Sequence, residues 1–508
     1  MLAKANSNAV LGIDGYVVQV EVDLAKGLPA FNIVGLPDTA VRESKERVKS
    51  AIKNTGFKFP VKRITVNLAP ADIRKKGPVF DLPIAIGILA ASGLIKEDRL
   101  KEYTLIGELS LDGQVRGITG ILPMALAAKK EGKKGFILPK ENAKEAAVID
   151  ELEIIPVADL KEAVEYLNAE LELPQVSRDF SIAEGEDYKI DFKDVKGQKH
   201  AKRALEIAAT GGHNVIMIGP PGSGKTMLAK RLPTILPPLS KEEAIEVTKI
   251  FSIVGKLSTE RSLITKRPFR NPHHTTSDVG LIGGGRIPQP GEVSLAHHGV
   301  LFLDELPEFK KSVLEVLRQP LEKGEVSISR ALTTLEYPAQ FMLISAMNPC
   351  PCGFYGDTRK NCSCNSYEIK RYLNKISGPL LDRIDIHLEV PRLQMDELTT
   401  YESGECSSQI RARVKKARKI QLKRFNKENI MYNARMNRPL IKKYCTIKEQ
   451  GQELLKQAIS RLDLSARAYD RILKLARTIA DLAGEEVIKS DHIAEAIQYR
   501  SLDRNYID

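Results

Sequence analysis

The sequence predicts an α/β protein built around a parallel sheet, and three runs of residues predict it. The short apolar strand Val215-Ile216-Met217-Ile218 enters the loop Gly219-Pro220-Pro221-Gly222-Ser223-Gly224-Lys225-Thr226, and a helical stretch from Met227 to Leu232 follows. A second apolar run, Val300 to Leu303, ends on Asp304-Glu305, and a third, Phe341 to Met347, ends on Asn348. Unbroken apolar runs mark strands buried on both faces, as in parallel sheets. Polar residues at their C-terminal ends fall where α/β proteins bind ligands.

The other elements follow in chain order. Gly15 to Val22 alternates with period two and predicts a strand. Thr39 to Asn54 is rich in charge and predicts a surface helix; Arg63 to Leu68 predicts another strand, and Asp81 to Gly93 a buried helix. Strands are expected near Thr104–Gly107 and Gly135–Leu138. Residues 1–169 thus form a first α+β domain. Residues 170–190 are expected to link it to the next, because the stretch 170–194 carries eight acidic and three basic residues and few large apolar ones. A core domain is expected over 191–392 and a basic helical domain over 393–508. In the latter, Leu464, Ala468, Ile472, Leu475, Ala476, Ile479 and Leu482 recur at helical spacing, and Ser490-Asp491 starts a last helix.

Composition narrows the class. The chain has 508 residues, 43% apolar and 28% charged, with a formal net charge of +12 and six cysteines. That excludes a disordered chain and a disulfide scaffold. No apolar run reaches the roughly 18–20 residues of a membrane span, and the N-terminus lacks the pattern of an export signal. A cytoplasmic protein without a membrane partner is expected, and the basic balance favours a polyanionic one.

The loop is G-x4-G-K-T in its proper strand–loop–helix context, which predicts a nucleoside triphosphate site. The backbone of Gly219, Pro220, Pro221, Gly222, Ser223 and Gly224 wraps phosphates, Lys225 reaches the β- and γ-phosphates, and Thr226 ligates Mg²⁺. Asp304 holds Mg²⁺ through water, Glu305 polarises the attacking water, and Asn348 sits beside the γ-phosphate to position it. Arg383, in Gly378-Pro-Leu-Leu-Asp-Arg-Ile-Asp385, either supplies positive charge to a phosphoryl transition state or pairs within the chain with Asp382 or Asp385.

In this order, the motifs resemble AAA+ ATPases of the magnesium-chelatase and MCM-like branch. Asn271-Pro-His-His-Thr-Thr-Ser277, Gly291-Glu-Val-Ser-Leu-Ala-His297, Leu303-Asp-Glu-Leu-Pro-Glu-Phe309 and Asn348-Pro-Cys-Pro-Cys-Gly353 are similar to the YifB/ComM family in particular, over essentially the whole chain. The resemblance implies an AAA+ core with a helical lid, ATP and Mg²⁺ as cofactors, and a homo-hexameric ring with ATP between subunits. Arg383 then acts as an arginine finger on the neighbouring subunit, and Arg467 is the sensor arginine of the lid. It also implies a helicase that drives branch migration on single-stranded or branched DNA during recombination of transforming DNA. The rival reading is a chelatase-type or chaperone-like motor that remodels a protein partner.

Lys76 to Ala85, Gly107 to Gly113 and Leu138 to Asn142 make the first domain resemble Lon-type protease domains of the ribosomal S5 domain 2-like fold, and the C-terminal domain of RadA. Proteolysis there needs a Ser–Lys dyad. The two positions fall at about Val79 and Leu122, so no peptidase is expected.

Cys350, Cys352, Cys362 and Cys364 form a CxC-x9-CxC cluster. It reads either as a structural Zn²⁺ site or as unligated loop thiols. His273-His274 and His297-His298 are expected to shape the insert by hydrogen bonds in preference to binding metal. Gly324 to Glu336 predicts a hairpin, with Arg330 near its tip either on a phosphate backbone or satisfied at the surface. Gly280 to Arg286 predicts a second loop carrying Arg286. Residues 411–443 hold thirteen basic residues and one acidic residue. Arg411, Lys415, Arg418 and Lys419, on one side of a helix, are expected to track a DNA backbone without stacking on bases.

Overall fold

The structure is a computed structural model, and it describes residues 1–174, 176, 188–257, 262–330, 333–357, 359–393, 404–428, 430–462 and 465–500. Residues 177–187, most of the expected acidic linker, lie outside the described residues, as do Asp463 and Leu464. The chain divides into two units, Met1–Ile182 with Lys241–Thr265, and Ala183–Ser240 with Lys266–Asp508. Within the span 191–392, Lys241–Thr265 clusters with the first unit.

The first unit is a seven-stranded mixed sheet. Its strands are β1 (Leu2–Leu11), β2 (Asp14–Ala25), β3 (Ala30–Val34), β4 (Arg63–Ala69), β5 (Tyr103–Leu105), β8 (Gly135–Pro139) and β9 (Glu153–Val157), in the order β3-β4-β2-β1-β5-β8-β9; β6 (Glu108–Leu109) and β7 (Val115–Arg116) pair separately. The β1–β2 hairpin runs in register from Leu2↔Asp23 to Leu11↔Asp14. Val18, Val20, Val22 and Leu24 of β2 alternate inward and are buried, each contributing roughly 1.5–3 kcal/mol of apolar burial. The helix Asp81–Ala91 is buried along its whole length and packs on β1 and β2. The helix Thr39–Asn54 starts where Asp38 accepts a hydrogen bond from the Val41 amide at 2.9 Å. The helix Lys241–Ile253 lies against the helix Ile121–Lys130: the Gly120 amide donates to the Ser252 carbonyl at 3.2 Å, and the Ser252 hydroxyl donates to Glu145 Oε1 at 2.5 Å.

The second unit carries a five-stranded parallel sheet in the order β11-β14-β17-β10-β18, made of β10 (Val215–Ile218), β11 (Phe269–Arg270), β14 (Val300–Leu303), β17 (Met342–Met347) and β18 (Ile386–Glu389). Every residue of β10, β14 and β17 is buried, as their apolar runs require. β10 lies inside the sheet, with β17 on one side and β18 on the other, so the chain reverses its direction of travel across the sheet at β10. Such a switch point opens a crevice at the C-terminal ends of the strands. Two hairpins belong to this unit: β12 (Gly283–Gly284) with β13 (Gln289–Pro290), and β15 (Glu325–Arg330) with β16 (Thr333–Pro338). The Tyr337 hydroxyl donates to the Pro288 carbonyl at 2.9 Å and ties them together.

The C-terminal region is helical, with helices Ser407–Arg424, Arg438–Tyr444, Glu449–Leu462, Ala466–Ala483 and Ser490–Gln498. Its apolar residues join those of the sheet in one core, which includes Val215, Phe302, Ile386, Val414, Ile472 and Tyr499. No helix among the described residues is long and apolar enough to cross a membrane.

Candidate nucleotide-hydrolysis site

The loop after β10 ends on Gly224, whose φ of +92° is a conformation that other residues rarely adopt, and the helix Lys225–Ile235 begins at once. The first amides of a helix have no partner within it, the usual environment for a phosphate. Lys225, which is buried, donates to the carbonyls of Gly219 at 2.6 Å and Pro220 at 3.0 Å, and to Asn348 Oδ1 at 3.3 Å. Burial pulls its pKa down to about 8, against the opposing pull of Asp304.

Neighbouring strands deliver the remaining groups. Asp304 follows β14, and its Oδ2 accepts from the Thr226 hydroxyl at 2.7 Å. A hydroxyl beside a carboxylate is the hard-oxygen donor pair that Mg²⁺ selects, so these two residues fit that ion. The Ser223 hydroxyl is buried in the loop and has no hydrogen-bond partner among the described residues, a donor suited to a phosphate oxygen. Glu305 has a φ of +53° and a side chain 60% exposed. A non-glycine residue in that region costs roughly 1–3 kcal/mol and recurs at functional sites. Asp304 Oδ1 accepts from the Glu305 amide at 3.0 Å.

Sequence reasoning missed the partner of that carboxylate. His274 Nδ1 stands 3.4 Å from Glu305 Oε2. Of the other histidines, His273 Nδ1 bonds to the Thr275 hydroxyl at 2.9 Å, His297 Nδ1 accepts from the Gln340 amide at 3.0 Å, and the ligand atoms of His297 and His298 lie within 4.8 Å of a carboxylate oxygen of Glu246. Nothing in a His-His pair distinguishes the member that faces a carboxylate supplied by another strand.

Arg383 and Arg467 stand elsewhere. Both line a cavity of about 400 Å³, with Arg435, Arg471 and Lys474. Arg383 is 11% exposed and has an intrachain partner, which is neither Asp382 nor Asp385 but Glu322; it also donates to the Pro379 carbonyl. Asp382 pairs with Arg467 at 3.2 Å, and Asp385 pairs with Arg471. The predicted set is thus split: Lys225, Thr226, Asp304 and Asn348 converge at the loop, and the two arginines share a different cavity.

The predicted polyanion contacts divide as well. Arg286 is exposed in the turn between β12 and β13, Lys419 is exposed, and Arg411 and Lys415 are half-buried. Arg330 ends β15 opposite Thr333, and its side chain lies outside the described residues, as do Ala331 and Leu332. Arg418 requires a correction. It is buried, its Nη2 donates to the Ala209 carbonyl at 2.7 Å, and its guanidinium lies 3.8 Å from the centre of the Tyr432 ring. It packs the lid helix onto the core and is withdrawn from any surface contact. The four clustered cysteines converge, with every Sγ within 4.8 Å of the others.

Comparison with known proteins agrees with this geometry. The family model described as "Magnesium chelatase, subunit ChlI" matches residues 191–398, "Subunit ChlI of Mg-chelatase" matches residues 20–142, and "Magnesium chelatase, subunit ChlI C-terminal" matches residues 404–500. The chain is 47% identical over 507 residues to "Competence protein ComM" of Haemophilus influenzae, covering 99% of this chain and 98% of that one. It is 44% identical over 506 residues to YifB of Escherichia coli, with 99% and 98% covered. It is 41% identical over 500 residues to a Mycobacterium tuberculosis protein, with 98% of each covered. With the phosphate loop, its acidic partners and the helical region behind them, this chain belongs to the YifB/ComM family of magnesium chelatase-like AAA+ ATPases.

Proposed function

We propose that the chain is one subunit of an ATP-hydrolysing ring, a homo-hexamer, that remodels a macromolecular partner. The observation that carries this reading is the division of the site: Lys225, Thr226, Asp304 and Asn348 meet at the loop, while Arg383 and Arg467 line a separate cavity. Two half-sites on one chain become whole when the arginines of one subunit face the loop of the next. In this reading Lys225 and the loop amides hold phosphates, Thr226 and Asp304 hold Mg²⁺, Glu305 polarises water and Asn348 orients it. Bound Mg²⁺ supplies charge neutralisation on the phosphates.

Two classes of partner have separate support. All three family models are magnesium chelatase subunits, which favours a motor that remodels a protein. The withdrawal of Arg418 and the pairing of Arg413 with Glu206 and Glu405 also weaken the basic helix as a polyanion track. A DNA helicase or translocase active in branch migration of transforming DNA is favoured by the relative named competence protein, and by exposed Arg286 and Lys419. Steady-state ATPase rates without DNA, with single-stranded DNA and with branched DNA separate the two, with Glu305→Gln as control. Removing the water-polarising carboxylate is expected to lower the rate by roughly 10²–10⁴-fold. A several-fold rise with DNA, absent from the control, supports the DNA motor. A rate indifferent to DNA at low salt overturns it and leaves the protein partner. A Glu305→Gln rate equal to that of the parent overturns the hydrolytic assignment itself.

A further inference from the structure

We propose that Cys350, Cys352, Cys362 and Cys364 bind one Zn²⁺ as four thiolates, and that this ion holds the phosphate loop and Asn348 in place. The metal site stands on its own geometry; its coupling to turnover rests on the nucleotide site proposed above.

The sulfur geometry suits the ion. Cys350 and Cys352 Sγ are 3.3 Å apart, Cys350 and Cys362 3.7 Å, and Cys352 and Cys362 3.6 Å. Four sulfurs at the Zn–S distance of about 2.3 Å in a tetrahedron stand roughly 3.8 Å from one another. These separations are close to that edge and far beyond a disulfide bond of about 2.05 Å, and all four thiols are free. Backbone amides converge on the sulfurs: Cys352 N–H donates to Cys364 Sγ at 3.4 Å, Cys364 N–H to Cys362 Sγ at 3.4 Å, and Tyr355 N–H to Cys350 Sγ at 3.3 Å. Amides aimed at sulfur stabilise thiolate charge, which four-thiolate zinc carries in excess. Four soft sulfur donors in a tetrahedron select zinc over magnesium or calcium.

The loop is built against the nucleotide site at both ends. Cys350 is two residues beyond Asn348. A Cβ placed on Gly353, between the two CxC pairs, would lie 2.7 Å from Pro221 Cδ, so the backbone there rests directly on the phosphate loop. Arg392 clasps the same contact: its Nη2 donates to the Pro221 carbonyl at 3.2 Å, and its guanidinium lies 5.5 Å from the centre of the Phe354 ring. After Cys364, Asn365 caps the helix Ser366–Leu373, and the hydroxyl of buried Tyr372 on that helix lies beside the Asn348 backbone. One ion joining Cys350 and Cys352 to Cys362 and Cys364 therefore closes a ring of chain that starts beside Asn348, passes over Pro221 and returns to Asn348. Without it the loop has little apolar content of its own to keep it there.

The test uses the full-length protein purified under reducing conditions. Elemental analysis is expected to find about one zinc per chain, and Cys362→Ser with Cys364→Ser is expected to abolish it. Equilibrium binding of a fluorescent ATP analogue to the zinc-free variant is expected to weaken roughly tenfold, with helical content unchanged. Gly353→Val keeps all four thiols and serves where the cysteine variant fails to fold: it is expected to retain zinc and still lose nucleotide affinity. A parent protein with no zinc and four thiols open to a thiol reagent, or one holding iron or disulfides, overturns the site. Zinc lost from a folded protein that binds the nucleotide as before overturns the coupling and leaves the site standing. Failure of the analogue to bind even zinc-loaded protein refutes the nucleotide site itself.

Discussion

Replacing Asp385 by asparagine tests how the lid is joined to the core. Asp385 is buried just before β18. Its Oδ2 meets His213 Nδ1 at 3.3 Å and the Asn214 amide at 3.2 Å, and its Oδ1 pairs with Arg471 of the helix Ala466–Ala483. His213 Nε2 bonds in turn to Thr478 of the same helix at 2.8 Å. Burial alone would raise the Asp385 pKa, but the charge of Arg471 and the bond from His213 outweigh it and hold the carboxyl well below the usual carboxylate range. The folded value is depressed, so this carboxylate stabilises the fold above its unfolded pKa of about 3.9 and loses that contribution as the pH falls below it. The substitution Asp385→Asn would leave Arg471, whose side chain is 17% exposed, without its countercharge. Breaking one side of a buried pair costs roughly 3–5 kcal/mol. In a unit of this size each kcal/mol moves the midpoint by about 2 °C, so a fall of roughly 6–10 °C is expected. Calorimetry is the assay. A shift below about 2 °C would refute the reasoning.

Two further outcomes are expected. His274→Ala should lower kcat by roughly fivefold, the worth of about one hydrogen bond, and leave the KM for ATP unchanged, because His274 touches Glu305 and not the loop; an unchanged kcat in single-turnover assays argues that His274 does not orient the carboxylate. Lys225, with its pKa drawn down to about 8 in the free protein, loses its proton as the pH rises through that value. ATP affinity should therefore hold steady below pH 8 and weaken above it by at most roughly tenfold per pH unit, with Lys225→Arg abolishing the trend; a flat titration from pH 7 to pH 10 contradicts the buried-lysine reading.

Much of this was legible in the sequence, for definite physical reasons. β10 and β14 are covered on both faces, so their apolar runs have no polar interruptions and their bounds come out as Val215–Ile218 and Val300–Leu303. The helix Thr39–Asn54 has clear bounds because Asp38 caps it. β1 was illegible: Leu2–Leu11 is dominated by Ala, Asn and Ser, and it is buried through its central position in the sheet, with Ser7 and Asn8 in the interior. Charge partners were the weakest reading. Proximity along the chain offers Arg383 the carboxylates of Asp382 and Asp385, yet the fold gives it Glu322 from a distant segment. Arg418 falls among the lysines by sequence spacing, but it borders the buried stripe of Ile410, Val414, Ala417 and Gln421, and Tyr432 comes from outside the helix to cover it. Spacing along one helix says nothing of what another segment lays over it.

The passage of the chain through Lys241–Thr265 imposes an order on biosynthesis. Chains are made from the N-terminus, and domains ordinarily fold as they emerge. Here the first unit is short of one helix until the ribosome has already made the phosphate loop, and the second unit is begun, suspended and resumed. Neither is a contiguous module. Ending the chain at Ile182 yields a first unit missing the partner of the helix Ile121–Lys130, and starting it at Ala183 leaves the helix Lys241–Ile253 without the helix Ile121–Lys130.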